Sequence, residues 1–396
     1  MISILRELVN ASDRVGDAHP GVPFGILNSE YICESGVRRG HEKRSNCMKK
    51  KIAVISSGNG GQSMAAYFSY LGYKVALYAR EAERVDMFPD NRFTISGAVE
   101  AETEVDLISS DMGKVVRDAY LIMVTTPAQY HPIVARAMAQ HLVDGQAVVL
   151  NPGRTFGTLA FSKVLAECGC KADIMLGETD TFTFTCRCPE LRKPQIYKIK
   201  DSVRLAAHDK SYAERLLCML REIFDMFSLA ESVLYTGFSN IGMIFHPMPI
   251  LMNITRVEAK EGFRFYWDGI SPMVAGILEK MDVERIAVAY AYGVAVPTAR
   301  QWLAEAYGSR GDSLYEQIQN TEAYSTVLAP TDIDTRYIFE DILTGCVPTS
   351  CAGKAVDVKT DVLDTLIRWA SIIYGRDFYA EGRNDTVIDF SRFLKA

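Results

Sequence analysis

No apolar run in this sequence approaches the length needed to span a bilayer, and the amino-terminal residues lack the apolar core of a secretory signal. Basic excess is also missing: the formal net charge is -6, so no nucleic-acid-binding surface is expected. The nine cysteines include no C-x-x-C pair. Cys168 with Cys170 and Cys186 with Cys188 are each separated by one residue, poor spacing for a zinc knuckle or a strain-free bridge, so no metal is expected. Internal repeats and low-complexity tracts are absent too. With 48% hydrophobic and 23% charged residues over 396 positions, these absences leave a globular chain long enough for two domains. Its expected setting is the reducing cytoplasm, without nucleic-acid or membrane partners.

What is present is concentrated in Lys51 to Arg80, KIAVISSGNGGQSMAAYFSYLGYKVALYAR. Ile52 to Ile55 reads as a buried strand and Ser56 to Gly61 as a turn. A helix carrying Met64, Ala65, Phe68 and Leu71 ends at Gly72, and Val75 to Tyr78 reads as a second strand. Such a βαβ unit brings free N–H groups of a helix N-terminus to an anionic group. The pyrophosphate fingerprint G-x-G-x-x-G maps onto Ser56, Gly58 and Gly61, with serine in place of its first glycine. Gly58, Asn59, Gly60 and Gly61 are therefore the candidate phosphate contacts. At the end of the second strand stands Ala79, where an NAD site carries an acid to hold the ribose. Arg80, with Arg84, offers charge for a 2′-phosphate, so NADP is favoured and NAD stays open.

Strand and helix signals alternate onward to about residue 232. Tyr120 to Val124 is a strand that stops at Thr125, Thr126 and Pro127, and strand carboxyl ends line the ligand crevice of such a sheet. Thr126 and Pro127 are accordingly placed beside the nicotinamide. Ala147 to Leu150 and Asp173 to Leu176 read as further strands, and Ser211 to Phe227 as an amphipathic helix. Beyond Leu234 helical spacing dominates, as in Ser271 to Tyr292 and Asp361 to Tyr374. The expected organisation is an extension over 1–47, a doubly wound parallel Rossmann domain over 48–232 and an all-helical domain over 233–396. The apolar helical positions of the last part could supply a homodimer surface.

Two stretches of the helical part carry proton-transfer and carboxylate chemistry. His246 lies in an apolar segment followed by Pro247 and Pro249, and an imidazole can give or take the proton that hydride transfer to C=O or C=N requires. Taken alone, a lone histidine on an apolar face is more often a satisfied core residue. Arg336 can fork onto a carboxylate and Asp341 can orient a histidine, although Arg336 and Glu340 also have the spacing of a helical ion pair.

From Lys51 onward the chain resembles the opine dehydrogenase family, which includes octopine and nopaline dehydrogenases. The motifs are I-A-V-I-x-x-G-N-G-G at Ile52 to Gly61, G-E-T-x-T-F-x-x-x-C-R at Gly177 to Arg187, and S-N-x-x-x-x-x-H-P at Ser239 to Pro247. Two more are D-x-E-R at Asp282 to Arg285 and R-Y-I-x-E-D at Arg336 to Asp341. The resemblance implies an active site in the cleft between the two domains, and reductive condensation of an amino acid with a 2-oxo acid at the expense of NAD(P)H. It makes His246 the proton-transferring residue and Asp341 its acid partner, with Arg336 holding a substrate carboxylate and Asn240 orienting substrate or histidine. A carboxylate partner is expected to favour protonated His246. Other two-domain dehydrogenases, of the 2-oxo acid, ketopantoate or glycerol-3-phosphate type, share this layout but rely on a lysine in the helical domain. A non-catalytic dinucleotide sensor would need no His246 and Asp341 pair.

Overall fold

The computed structural model describes residues 50–393. The extension expected over 1–47 lies outside them. The first part is built on an eight-stranded sheet whose strands are β1 (Lys51–Ile55), β2 (Lys74–Tyr78), β5 (Leu107–Ser109), β6 (Ala119–Val124), β7 (Ala147–Leu150), β8 (Met175–Thr179), β11 (Val203–Ala207) and β12 (Phe227–Leu229). Its spatial order is β12-β11-β8-β7-β6-β1-β2-β5. The six strands from β5 to β8 run parallel and β11 is antiparallel to β8. Strand order reverses between β1 and β6, so the crevice beyond their carboxyl ends is the topological switch point where ligands bind. Ser56–Gly61 and Thr125–Pro127 both open onto it.

Burial explains the strands. Ile52 to Ile55, Leu121 to Val124 and Ala147 to Leu150 are all inaccessible to solvent, as runs covered on both faces of a parallel sheet must be. Helix α1 (Asn59–Tyr70) crosses over to β2 and ends in a Schellman cap. Gly72, at φ 88°, donates to Ser69 O, and Tyr73 donates to Phe68 O while its ring packs edge-on against that of Phe68. The phosphate turn is shorter than expected because the helix already begins at Asn59.

A second, four-stranded sheet covers α1, and nothing in the sequence pattern announced it. Its strands are β3 (Arg92–Gly97), β4 (Ala101–Glu104), β9 (Phe184–Glu190) and β10 (Lys193–Ile199), ordered β4-β3-β10-β9. Two further expectations are corrected. The strand expected over Asp173 to Leu176 runs from Met175 to Thr179, because pairing with β7 and β11 carries it through Gly177 and Glu178. The helix expected over Ser211 to Phe227 is α4 (Ala213–Arg221), and Phe227 instead starts edge strand β12. Helices α2 (His131–Met138) and α3 (Gly157–Glu167) also belong to the first part, with two short helices at Ala82–Asp86 and Met112–Val116.

From Val233 onward the elements are helices. Those that position the site are α5 (Gly242–Phe245), α6 (Pro247–Met252), α7 (Pro272–Ala291), α8 (Arg336–Asp341), α9 (Val347–Ala355) and α10 (Asp361–Tyr374). A separate core of Met243, Ile244, Leu278, Ile338, Leu363 and Ile367 holds them together. The last segment returns to the first part: Arg383 donates to Gly153 O and Thr155 O, and Phe390 packs edge-on against Phe156. Among the described residues no helix is long and apolar enough to cross a membrane. Cys168, Cys170, Cys186 and Cys188 form no disulfide.

Candidate active site

The phosphate turn is shaped by what a side chain would strike. A Cβ at Gly61 would lie 1.8 Å from Ser56 O, and one at Gly60 would lie 2.8 Å from the Phe182 ring. Only glycine fits Gly61 without moving backbone. Ser56 itself sits at φ 155°, in the range where the fingerprint's first glycine is normally required, and its Oγ accepts the Gly58 N–H at 3.1 Å. Gly58 caps α1 with no side-chain hydrogen bond, which leaves the first-turn N–H groups of Asn59, Gly60 and Gly61 directed out of the helix end. The Asn59 Oδ1 accepts the Cys188 N–H of β9 at 3.2 Å, which ties the start of the helix to the second sheet.

Across the crevice, Thr126 Oγ is buried without a hydrogen-bond partner, an acceptor and donor poised for a group in the cleft. Pro127 begins the short turn Ala128–Tyr130. The glycine cradle, the uncapped helix end and the orphaned hydroxyl together fit a dinucleotide. Arg80 is half-exposed at the rim, 5.8 Å from the Tyr130 ring, and paired with neighbouring Glu81 at 2.6 Å. Arg84 braces the turn instead, donating to Ser57 O at 3.2 Å.

His246 sits at the junction of α5 and α6, where Pro247 occupies the first position of the second helix and prevents one continuous helix. Asp341 ends α8, and the chain passes directly into a π-helical turn over Ile342–Cys346, an irregularity common at functional sites. His246 Nδ1 lies 2.7 Å from Asp341 Oδ2, and the Tyr266 hydroxyl is 3.3 Å from Nε2. Tyr337 stacks on the imidazole with centroids 4.1 Å apart. Asp341 is inaccessible and His246 nearly so, which makes the pair a buried dyad.

Its electrostatics differ from the sequence expectation. Burial lowers the His246 pKa below its ordinary value, and Asp341 only partly offsets this, while Arg336 and Arg154 push the same way as burial. The resting imidazole at neutral pH is therefore the neutral form, with Nδ1–H donating to Asp341 and Nε2 accepting from Tyr266. Burial holds the Tyr266 phenol well above its ordinary pKa, so it remains a donor.

Arg336 borders the dyad from the helix that carries Asp341. Its side chain is 47% exposed in the cleft, and it forms the i,i+4 pair with Glu340 at 3.2 Å that its spacing suggested. One face of the guanidinium thus stays available to a carboxylate. Asn240 is buried but makes no hydrogen bond to His246: its Nδ2 donates to Thr155 Oγ at 3.2 Å and its Oδ1 accepts from Arg154 at 3.3 Å.

Sequence reasoning missed the parts that several residues play here. Tyr266 and Tyr337 flank the imidazole. Arg154 reaches Glu340 from the loop after β7, and Glu340 accepts the Ala128 N–H. Arg154 had a usable signal, since it follows a strand carboxyl end in a sheet of this kind. Glu178 of the G-E-T motif has a supporting part: it accepts the Thr158 N–H at the start of α3 and the Thr236 hydroxyl, each at 2.6 Å, and so joins the two parts. Among the described residues no cluster of metal-ligating side chains occurs.

Comparison with known proteins shows the family. Residues 229–374 match the family described as NAD/NADP octopine/nopaline dehydrogenase, alpha-helical domain. Residues 51–168 match the amino-terminal domain of NAD-dependent glycerol-3-phosphate dehydrogenase. The opine dehydrogenase of Arthrobacter sp. (strain 1C) is 36% identical over 341 residues, covering 84% of this chain and 93% of that protein. Octopine dehydrogenase of Pecten maximus is 25% identical, with 85% and 93% covered. An octopine dehydrogenase structure with NADH and L-arginine shares the fold at a TM-score of 0.72 and 21% identity, over 87% of this chain and 96% of that one. An NADP+-bound yersinopine dehydrogenase does so at 0.64 and 14%, with the same coverage. With a Rossmann part, a helical part and a relative this similar over most of its length, the chain belongs to the opine dehydrogenase family and is an NAD(P)-dependent oxidoreductase.

Proposed function

We propose that the protein condenses an amino acid with a 2-oxo acid such as pyruvate and reduces the resulting imine to an N-(carboxyalkyl)amino acid, and catalyses the reverse oxidation. The observation that carries this reading is the His246–Asp341 dyad at 2.7 Å beside the half-exposed Arg336. Backbone N–H groups of Gly58 to Gly61 hold the pyrophosphate, with Thr126 and Pro127 beside the nicotinamide ring. Bound there, a reduced nicotinamide supplies the hydride.

Everything else falls to the chain's own groups. Arg336 holds the 2-oxo acid's carboxylate and so fixes its carbonyl carbon in the cleft. As the amine adds to that carbon and water leaves, His246 Nε2 is the atom that delivers the proton to the departing oxygen. Asp341 fixes the tautomer through Nδ1 and stabilises the imidazolium while it exists. Substrate must first displace the Tyr266 hydroxyl from Nε2. Because burial makes the resting imidazole neutral, condensation draws on a protonated minority at neutral pH, whereas oxidation uses the majority form directly. Asn240 serves the site indirectly, through Arg154 and Thr155.

The same reading favours NADPH over NADH. Ala79 provides no ribose-binding acid, and Arg80 stands exposed at the rim over Tyr130, although Glu81 competes for it. The compartment is taken as the cytoplasm and the partners as small molecules. The test is cofactor oxidation followed at its near-ultraviolet absorbance with pyruvate and a panel of amino acids, each paired with a control lacking the amine. Oxidation that needs both substrates is expected. Oxidation with the oxo acid alone would mean a hydroxy-acid dehydrogenase.

A further inference from the structure

Arg154 belongs to the first part of the chain but makes its contacts on the second. It follows β7 on the loop at the dinucleotide crevice, with its backbone in the left-handed region at φ 58°. Its Nη2 donates to Glu340 Oε2 at 3.2 Å and its Nη1 to Asn240 Oδ1 at 3.3 Å. Nη1 also lies 3.9 Å from Asp341 Oδ1. That oxygen matters, because Asp341 uses only Oδ2 for His246, and Oδ1 is buried with no hydrogen bond. The space between the two groups is kept open by Gly242: a Cβ there would lie 2.6 Å from Asp341 Oδ1 and 2.9 Å from Arg154 Nη1.

We propose that Arg154 is a positioning residue for the proton-transfer dyad, fixing the aim of Asp341 through its second oxygen and lending the dyad a positive charge from the dinucleotide-binding loop. The inference rests on the reading of His246 and Asp341 as that dyad. A direct substrate contact suits Arg154 less well than Arg336, since its side chain is 14% exposed against 47% and its Nε is buried without a partner. The groups facing His246 are Asp341 and Arg336 from α8, the Tyr337 ring, the Tyr266 hydroxyl, the Phe265 ring and, behind Asp341, Arg154. Of these, Arg154 is the cation contributed by the other part of the chain. Its charge opposes protonation of the imidazole, adding to the effect of burial, while its contact holds the carboxylate that stabilises the imidazolium.

The experiment compares pH profiles of kcat and kcat/KM, in both directions, for the wild-type enzyme, Arg154→Gln, Arg154→Lys and His246→Gln. Arg154→Gln can keep hydrogen bonds to Glu340 and Asn240 without the charge. It should lower kcat roughly 10- to 100-fold with KM for the oxo acid changed little. Both the alkaline fall of the reductive reaction and the acid-side fall of the oxidative one should move to higher pH, by roughly half a unit or more. Arg154→Lys should return both limbs toward their wild-type positions. A loss of activity with unmoved limbs in Arg154→Gln would reduce Arg154 to a structural brace and overturn the proposal. If the Gln variant does not fold, the Lys variant still decides: with the charge retained, limbs displaced by roughly half a pH unit or more would contradict the proposal. Full activity in His246→Gln would instead remove the dyad reading itself, whatever the Arg154 variants do.

Discussion

The backbone N–H of Ala128 donates to Glu340 Oε1 at 2.9 Å, across 212 residues of sequence. The loop after β6 and the helix that carries Asp341 therefore share one buried carboxylate. Its other oxygen takes both Arg154 and Arg336, each at 3.2 Å. Burial alone would raise the Glu340 pKa, but Arg154, Arg336 and the Ala128 N–H prevail and hold it at about 2.

That depression has a definite sign for stability. A carboxylate held below its ordinary 4.5 stabilises the fold fully above that pH, and the contribution is lost as pH falls toward the folded value of about 2. Two and a half units would be about 3 kcal/mol, and screening at the half-exposed Arg336 brings this nearer about 2 kcal/mol. In urea titrations Glu340→Gln should be destabilised by that amount at pH 7, with the gap to wild type shrinking between pH 4.5 and 2. A gap independent of pH would contradict the ionic role.

Arg336 presents a guanidinium to the cleft while Glu340 steadies it. Arg336→Ala should raise KM for the 2-oxo acid about 10- to 100-fold, the worth of a charge-assisted hydrogen bond. Arg336→Lys should fall between, because an ammonium cannot fork onto a carboxylate. Cofactor affinity, read by quenching of protein fluorescence, should be unchanged in both.

At the phosphate turn, Gly61→Ala would place a methyl 1.8 Å from Ser56 O. The turn must open, so NADPH and NADH affinity should both drop by more than tenfold, while the circular dichroism spectrum stays that of the folded protein. Retained affinity would show that the pyrophosphate is held elsewhere.

The proposed preference for NADPH rests on Arg80. Arg80→Ala should weaken NADPH binding by about tenfold and leave NADH nearly unaffected, as expected for loss of a charge-assisted contact to a 2′-phosphate. Equal losses for the two cofactors would assign Arg80 to the adenine rim instead.

Local signals made much of this architecture legible. The buried run Ile52 to Ile55, the glycine turn and the helix Asp361–Tyr374 with Gly375 after it at φ 60° all follow from periodicity and capping. The four-stranded sheet was hidden because β10 pairs in parallel with β3, nearly a hundred residues earlier, and no local pattern encodes such a partner. The His246–Asp341 pair was reached through family motifs, since two residues 95 positions apart obey no local spacing rule. Glu340 looked like half of a helical ion pair, and that pair exists. Its bond to Ala128 and its sharing between two arginines arise only from packing of the two parts. The lowered pKa of His246 was misjudged for the same reason: the sequence shows the carboxylate, while the burial that outweighs it is a property of the folded cleft.

The most direct test of the account is His246→Gln, assayed for NADPH binding and for amine-dependent NADPH oxidation in the same preparation. The account predicts unchanged cofactor affinity with kcat reduced by about 10²- to 10⁴-fold, the usual worth of a positioned general acid. Turnover at the wild-type rate would contradict it.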